Sequence, residues 1–183
     1  STYAKSSPPL LSKALELIKS QTSDLNSAYA QDAFKYLAFL AKYTTIYTTA
    51  LGMYDFDLAK AVGRNSQMDP KVYLKELKGL VDMEPAKARY TVDVKLERWE
   101  SAVRNLKECG EVEECLKMIE EKDLIGLGLE IFEAGEERKK IMGTLARKMV
   151  KEGKAEAAIS VYLSVGDYDG AVSTARTYGD WKT

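Results

Sequence analysis

Lys140, Arg147 and Lys151 recur on one side of a single predicted helix, roughly opposite Ile141, Leu145 and Met149. Cations so placed are the residue types that meet the phosphates of bound RNA. The plainer account is a solvated face, since cations suit a helix C-terminus as Glu136 and Glu137 suit its N-terminus. Arg89, Arg98 and Arg104, with Tyr90 and Trp99, have the chemistry of a nucleic-acid stacking surface. Trp99, however, falls on an apolar stripe and is expected in the core. Asp55, Asp57 and Asp69 are oxygen donors of the type that hold Mg²⁺ or Ca²⁺, but no loop of matching ligand density surrounds them. Asp55 as a helix cap, and Asp69 before Pro70 at a first helical turn, account for those two more simply. Cys109 and Cys115 lack the Cys-x-x-Cys spacing of a metal site, and Gly126-Leu127-Gly128 neither follows a strand nor precedes a Walker lysine. The chain contains no histidine, which removes His-assisted nucleophiles, imidazole ligation and the usual neutral-pH proton shuttle. The expectation is no catalytic residue, no cofactor site and no metal site.

What must position these side chains is helix. Val92, Leu96, Trp99, Val103 and Leu106 are spaced 4, 3, 4 and 3, which predicts one continuous apolar stripe closed at Cys109-Gly110. Val112, Cys115, Leu116 and Ile119 form the next face. Asp123 is the predicted N-cap of a helix carrying Leu124, Leu127, Gly128, Ile131 and Phe132 and ending at Gly135. Further stops at Gly153, Gly166 and Gly179 lie 13 residues apart, and Asp167 and Asp180-Trp181 restart helices. Near the start, Leu10, Leu11, Ala14, Leu15 and Ile18 make a short amphipathic helix. Thr22-Ser23-Asp24 turns into a predicted long helix from Leu25 to Leu51. Strand signals are nearly absent. A two-helix unit cannot bury its own apolar face and must stack on the next. The predicted fold is all-α, a right-handed α-solenoid of stacked antiparallel helix pairs, tetratricopeptide-like.

Of the 183 residues, 45% are hydrophobic and 30% charged, enough apolar surface for a core and too much for general disorder. The formal net charge of −1 supplies no overall field for nucleic acid or anionic lipid. The uncharged run from Tyr43 to Tyr54 is Thr-rich and far shorter than the ~20 apolar residues of a membrane helix, so no membrane contact is expected. Two cysteines without secretory context suggest a reducing compartment, the cytoplasm first and the nucleus second. The chain does not begin with Met and stops where a helix restarts, and so reads as a piece of a longer protein.

Three motifs stand in order along the chain. They are Tyr47-x-x-Ala50-Leu51-Gly52-x-Tyr54-Asp55-Phe56-Asp57-Leu58, then Gln67-x-Asp69-Pro70-Lys71-x-Tyr73-Leu74, then Arg89-Tyr90-x-Val92-Asp93-x-x-Leu96-x-Arg98-Trp99-x-x-Ala102. Together they resemble the largest-subunit family of the Elongator complex, most specifically over residues 46–107. Where that family often has a proline and an aromatic residue after Tyr73-Leu74, this chain continues its helix with Lys75-Glu76-Leu77. The resemblance divides the chain into a helical lead-in over 1–45, a motif-bearing first part of the solenoid over 46–107, and tetratricopeptide-like helix pairs over 108–183. It implies a non-catalytic scaffold for the complex that modifies wobble uridines in tRNA. The implied partners are its radical-SAM acetyltransferase and propeller subunits, with tRNA met indirectly or weakly and dimerisation through a region outside this chain. It makes Asp69, Pro70, Tyr73, Arg89, Tyr90 and Trp99 structural motif residues, and Lys140, Arg147 and Lys151 a candidate RNA or partner contact. The alternatives are a coat or intraflagellar-transport-type solenoid and a stand-alone helical nucleic-acid-binding module.

Overall fold

The computed structural model describes residues 9–179. Among them every regular element is a helix, and the chain separates into two compact units, Ser1–Asn105 and Leu106–Thr183. The predicted restart at Asp180-Trp181 lies outside the described residues.

The first unit opens with α1 (Pro9–Gln21) and α2 (Ala28–Leu40), whose N-cap Ser27 accepts from Ala30 N. The predicted helix from Leu25 to Leu51 is two helices. Ala41 turns extended (φ −147°, ψ 152°), and α3 (Tyr43–Gly52) starts afresh. The reason is the phase of the apolar residues. In one unbroken helix, Ile46 and Ala50 would lie nearly opposite Ala30, Phe34 and Leu37. The break lets both sets face one core. Asp55 caps α4 (Phe56–Asn65) by accepting from Leu58 N at 3.0 Å, and Lys19 pairs with the same carboxylate. Asp69 caps α5 (Pro70–Val81) by accepting from Lys71 N at 2.9 Å, with Pro70 in the first turn, as expected. Tyr73 is buried and meets Tyr47 edge-on, centroids 6.4 Å apart. Gly63 makes room for it, since a Cβ there would come within 2.8 Å of the Tyr73 ring. Pro85 opens α6 (Pro85–Lys95). One buried cluster draws on α1 to α6, with Leu15, Phe34, Tyr47, Leu51, Leu58, Leu77 and Val92 among its members.

The stripe from Val92 to Leu106 is likewise two helices. After α6 the chain passes through Glu97 at φ +55° and begins α7 (Trp99–Glu108). Trp99 is therefore a first-turn residue, half-buried rather than in the core.

In the second unit, α8 (Val112–Glu121) and α9 (Ile125–Ile131) are joined through Asp123, which does not cap α9 as predicted. It takes φ +56°, and its carboxylate accepts from Lys148 Nζ at 2.6 and 2.7 Å. The α9 helix stops at Ile131, short of the predicted Gly135, which instead precedes α10 (Glu136–Lys151). Next come α11 (Ala155–Val165) and α12 (Tyr168–Gly179), packed as neighbours across turns at Gly153 and Gly166. At each of those two turns a residue with positive φ, where glycine lacks the Cβ clash, lets a backbone N–H reach the carbonyl five residues back. Lys154 N donates to Met149 O at 2.8 Å and Asp167 N to Tyr162 O at 2.9 Å. Asp167 then accepts from Gly170 N at 2.9 Å, the predicted restart.

Candidate functional site: a buried polar latch and an ion-paired face

Tyr54 of the first motif and Arg89 of the third meet at Asp93, Arg89 by way of Asn105; Asp93 is fully buried in α6. Its carboxylate accepts from the Tyr54 hydroxyl at 2.8 and 2.9 Å and from Asn105 Nδ2 at 2.8 Å. Ser101 Oγ lies 3.1 Å from the Tyr54 oxygen, and Arg89 Nε donates to Asn105 Oδ1 at 3.0 Å. Burial, helped by the bond to Asp93 and opposed by the one to Ser101, holds the Tyr54 phenol above its usual pKa. It stays a donor. A carboxylate this buried is tolerable because hydrogen bonds surround it.

The turn that aims Tyr54 is built by the same network. Tyr54 has φ +59°, a conformation side chains resist, and Arg98 NH1 donates to Gly52 O at 2.7 Å. The Arg98 guanidinium lies where a Gly52 side chain would be, within 2.3 Å of a Cβ built there. Sequence reasoning quoted Asp93 without giving it a role, and missed Ser101 and Asn105. The available signal was Asp93 and Asn105 among the inward-facing residues of α6 and α7, beside Val92, Ala102, Val103 and Leu106.

The proposed stacking set does not assemble as a surface of free cations. Arg89 and Arg98 are engaged inside the unit, Tyr90 lies under Lys87 (5.6 Å to the ring centroid), and Arg104 is exposed. Asp57 stands exposed in the first turn of α4. Among the described residues no group of three acidic or Cys side chains is placed to hold a metal.

In the second unit, Lys140 and Arg147 share a face of α10, and that face is answered. Lys140 Nζ lies 2.9 Å from Glu113, and Arg147 NH2 lies 3.1 Å from Glu120. Both pairs join residues 27 apart, so α8 and α10 run in the same direction. Glu113, the chief cause, raises the Lys140 pKa. Lys151 is exposed at the end of the helix. Cys115 of α8 is buried and in no disulfide, its thiol pushed up to about 11 by desolvation, with Lys107 opposing. Cys109 is half-buried and in no disulfide.

Motif residues that point inward, on short helices joined by tight turns, define an all-α helix-array protein whose distinctive chemistry holds helices together. Comparison with known proteins says which. Residues 1–80 match the family model described as ELP1 alpha-solenoid. The chain is 35% identical over 184 residues to Elongator complex protein 1 of Oryctolagus cuniculus, covering 97% of this chain and 14% of that protein. To the proteins of the same name it is 32% identical in Arabidopsis thaliana (98% of this chain, 15% of that protein) and 32% in Saccharomyces cerevisiae (98% and 14%). The chain belongs to the Elongator complex protein 1 family, as an α-solenoid segment spanning about 14% of its relatives' length. The match over residues 1–80 takes in the lead-in and the first two motifs and stops short of the third.

Proposed function

We propose that this chain is a non-catalytic scaffold segment of an Elongator assembly, holding the acetyltransferase and propeller subunits that modify wobble uridine in tRNA. The observation that carries the reading is where the family-like residues go. Tyr54, Asp69, Tyr73, Arg89, Asp93 and Arg98 are each engaged in caps, core or latch, so this pattern fixes helix geometry rather than lining a reaction site. A further support is that apolar side chains of the first unit face outward, Tyr36, Phe39 and Leu40 at the C-terminal half of α2 among them. No helix among the described residues is long and apolar enough to cross a membrane. The cytoplasm, with the nucleus second, is the compartment that goes with this role.

Contact with tRNA is proposed as indirect or weak. Lys140 and Arg147 already face carboxylates, so a phosphate must compete with Glu113 and Glu120 for them. A log–log salt slope shallower than about −3 is expected. Domain use follows the motifs: 46–107 sets the geometry, 1–45 leads in, and 108–183 continues the array.

The test is retention of purified acetyltransferase and propeller subunits on the immobilised chain, beside a gel shift with tRNA at two salt concentrations. Retained subunits with faint, salt-sensitive RNA binding are expected. No retention, together with tight, salt-resistant RNA binding, would replace the scaffold by a nucleic-acid module.

A further inference from the structure

Between α5 and α6 runs an open groove of about 500 Å³, with Val72, Leu80, Met83 and Val92 along it and Lys71, Lys75 and Lys95 at its edges. Val72 is 63% exposed and Met83 42%, although both are apolar. Val72, Glu76 and Gly79 recur at the spacing of one face of α5, and Met83 follows just past the end of that helix.

Gly79 sits on that face, inside the helix. Glycine there costs about 1 kcal/mol relative to alanine. At Gly52 and Gly63 the close approach of Arg98 and Tyr73 explains the glycine; at Gly79 a Cβ would meet nothing within 4 Å. No internal contact requires the missing side chain, and its absence leaves a gap in the groove.

The charge at the rim is unbalanced. Lys95 is held by Glu76, while the exposed Lys71 and Lys75 side chains engage no carboxylate among the described residues. An apolar floor with unanswered cations on one side fits an amphipathic helix bearing carboxylates, the helix-in-groove mode of recognition. A polyanion fits poorly, because it gains nothing from Val72 and Met83 and meets the Glu76 carboxylate.

We infer that the α5–α6 groove docks an acidic amphipathic helix of a partner protein, with an apolar side chain over Gly79 and carboxylates facing Lys71 and Lys75. This rests on the scaffold reading only for the existence of a partner.

The probe is a fluorescein-labelled synthetic helix of about 15 residues, four turns, with leucines on one face and flanking glutamates. Anisotropy is read against the whole chain. Binding is expected to be about tenfold tighter than for the same peptide with lysine in place of glutamate, and Val72→Glu and Gly79→Leu each to weaken it about tenfold. Gly79→Leu is expected to melt no lower than the parent, since leucine is the better helix former, which separates a filled groove from a broken fold. No binding, equal binding of the charge-reversed peptide, or indifference to both substitutions would overturn the inference. So would tRNA binding abolished by Lys71→Glu with Lys75→Glu in the absence of peptide binding. If Gly79→Leu retains Elongator subunits as the parent does, the groove fails alone. If the peptide behaves as expected and no subunit is retained, the scaffold reading fails alone.

Discussion

Residues 9–105 bury Phe34, Tyr47, Leu51, Leu58 and Tyr73 in one cluster, whereas α10 to α12 close over Ala146, Ala158 and Ala171 with Tyr162 beside them. The first unit adds a buried polar latch, while the second dresses its surface with pairs such as Lys140–Glu113, Arg147–Glu120 and Lys148–Asp123. The contrast separates two ways of fixing helices. Large interlocking side chains and a satisfied buried carboxylate specify one geometry. Alanine faces allow close approach, and exposed ion pairs add little energy while biasing register. The unit with the specifying core also carries the family motifs and outward-facing apolar residues such as Tyr36, Phe39 and Val72.

Breaking the latch is the sharpest way to test that contrast. Asp93→Ala strands the Tyr54 hydroxyl and the Asn105 amide, and is expected to destabilise the first unit by about 3–5 kcal/mol. Urea unfolding followed by circular dichroism measures this, and a loss under about 1 kcal/mol would leave the latch without energetic meaning.

Next in size is the pH effect of a buried thiol in the second unit. The Cys115 thiol ionises near 9 when exposed and is held to about 11 in the fold. Between those values the unfolded chain binds fewer protons, so stability falls as pH rises, by about 1.4 kcal/mol per unit. Melting from pH 8.5 to 10.5 should show a steeper decline in the parent than in Cys115→Ala; parallel curves would count against a buried thiol.

Trp99→Ala, at a half-buried first-turn position, is expected to cost about 1–2 kcal/mol, well short of a core tryptophan. A blue-shifted, quencher-resistant emission from Trp99 would instead place it in a core. The smallest effect belongs to the ion-paired face. Lys140→Glu with Arg147→Glu should change stability by less than about 1 kcal/mol at moderate salt, as read by thermal melts; a much larger loss would mean that the pairs, not buried apolar residues such as Ile119 and Ile141, hold α8 to α10.

What was legible in the sequence was local. Asp69-Pro70, Asp167 and the glycine turns at 110, 153 and 166 act within one helical turn, and all stand where expected. Three further turns take the same positive φ without glycine: those at Tyr54 and Asp123 fall at helix boundaries that the sequence marks, while the one at Glu97 carries no such mark and went unread. A local rule has no means of seeing that Arg98 fills the space at Gly52, or that Lys148 waits for Asp123. The latch joins Tyr54 to Asp93 across 39 residues and Asp93 to Asn105 across 12, separations that carry no period. The break at Ala41 had a signal in the phase of the apolar residues, but neither glycine nor proline marks it.

The central claim is that this segment works as a scaffold and that partners meet its first unit. Hydrogen–deuterium exchange of the chain, with and without the acetyltransferase and propeller subunits, tests both parts at once. The account predicts new protection in α2 and α5, with α8 and α10 unchanged. Protection confined to α8–α12, or none at saturating subunit concentrations, would contradict it.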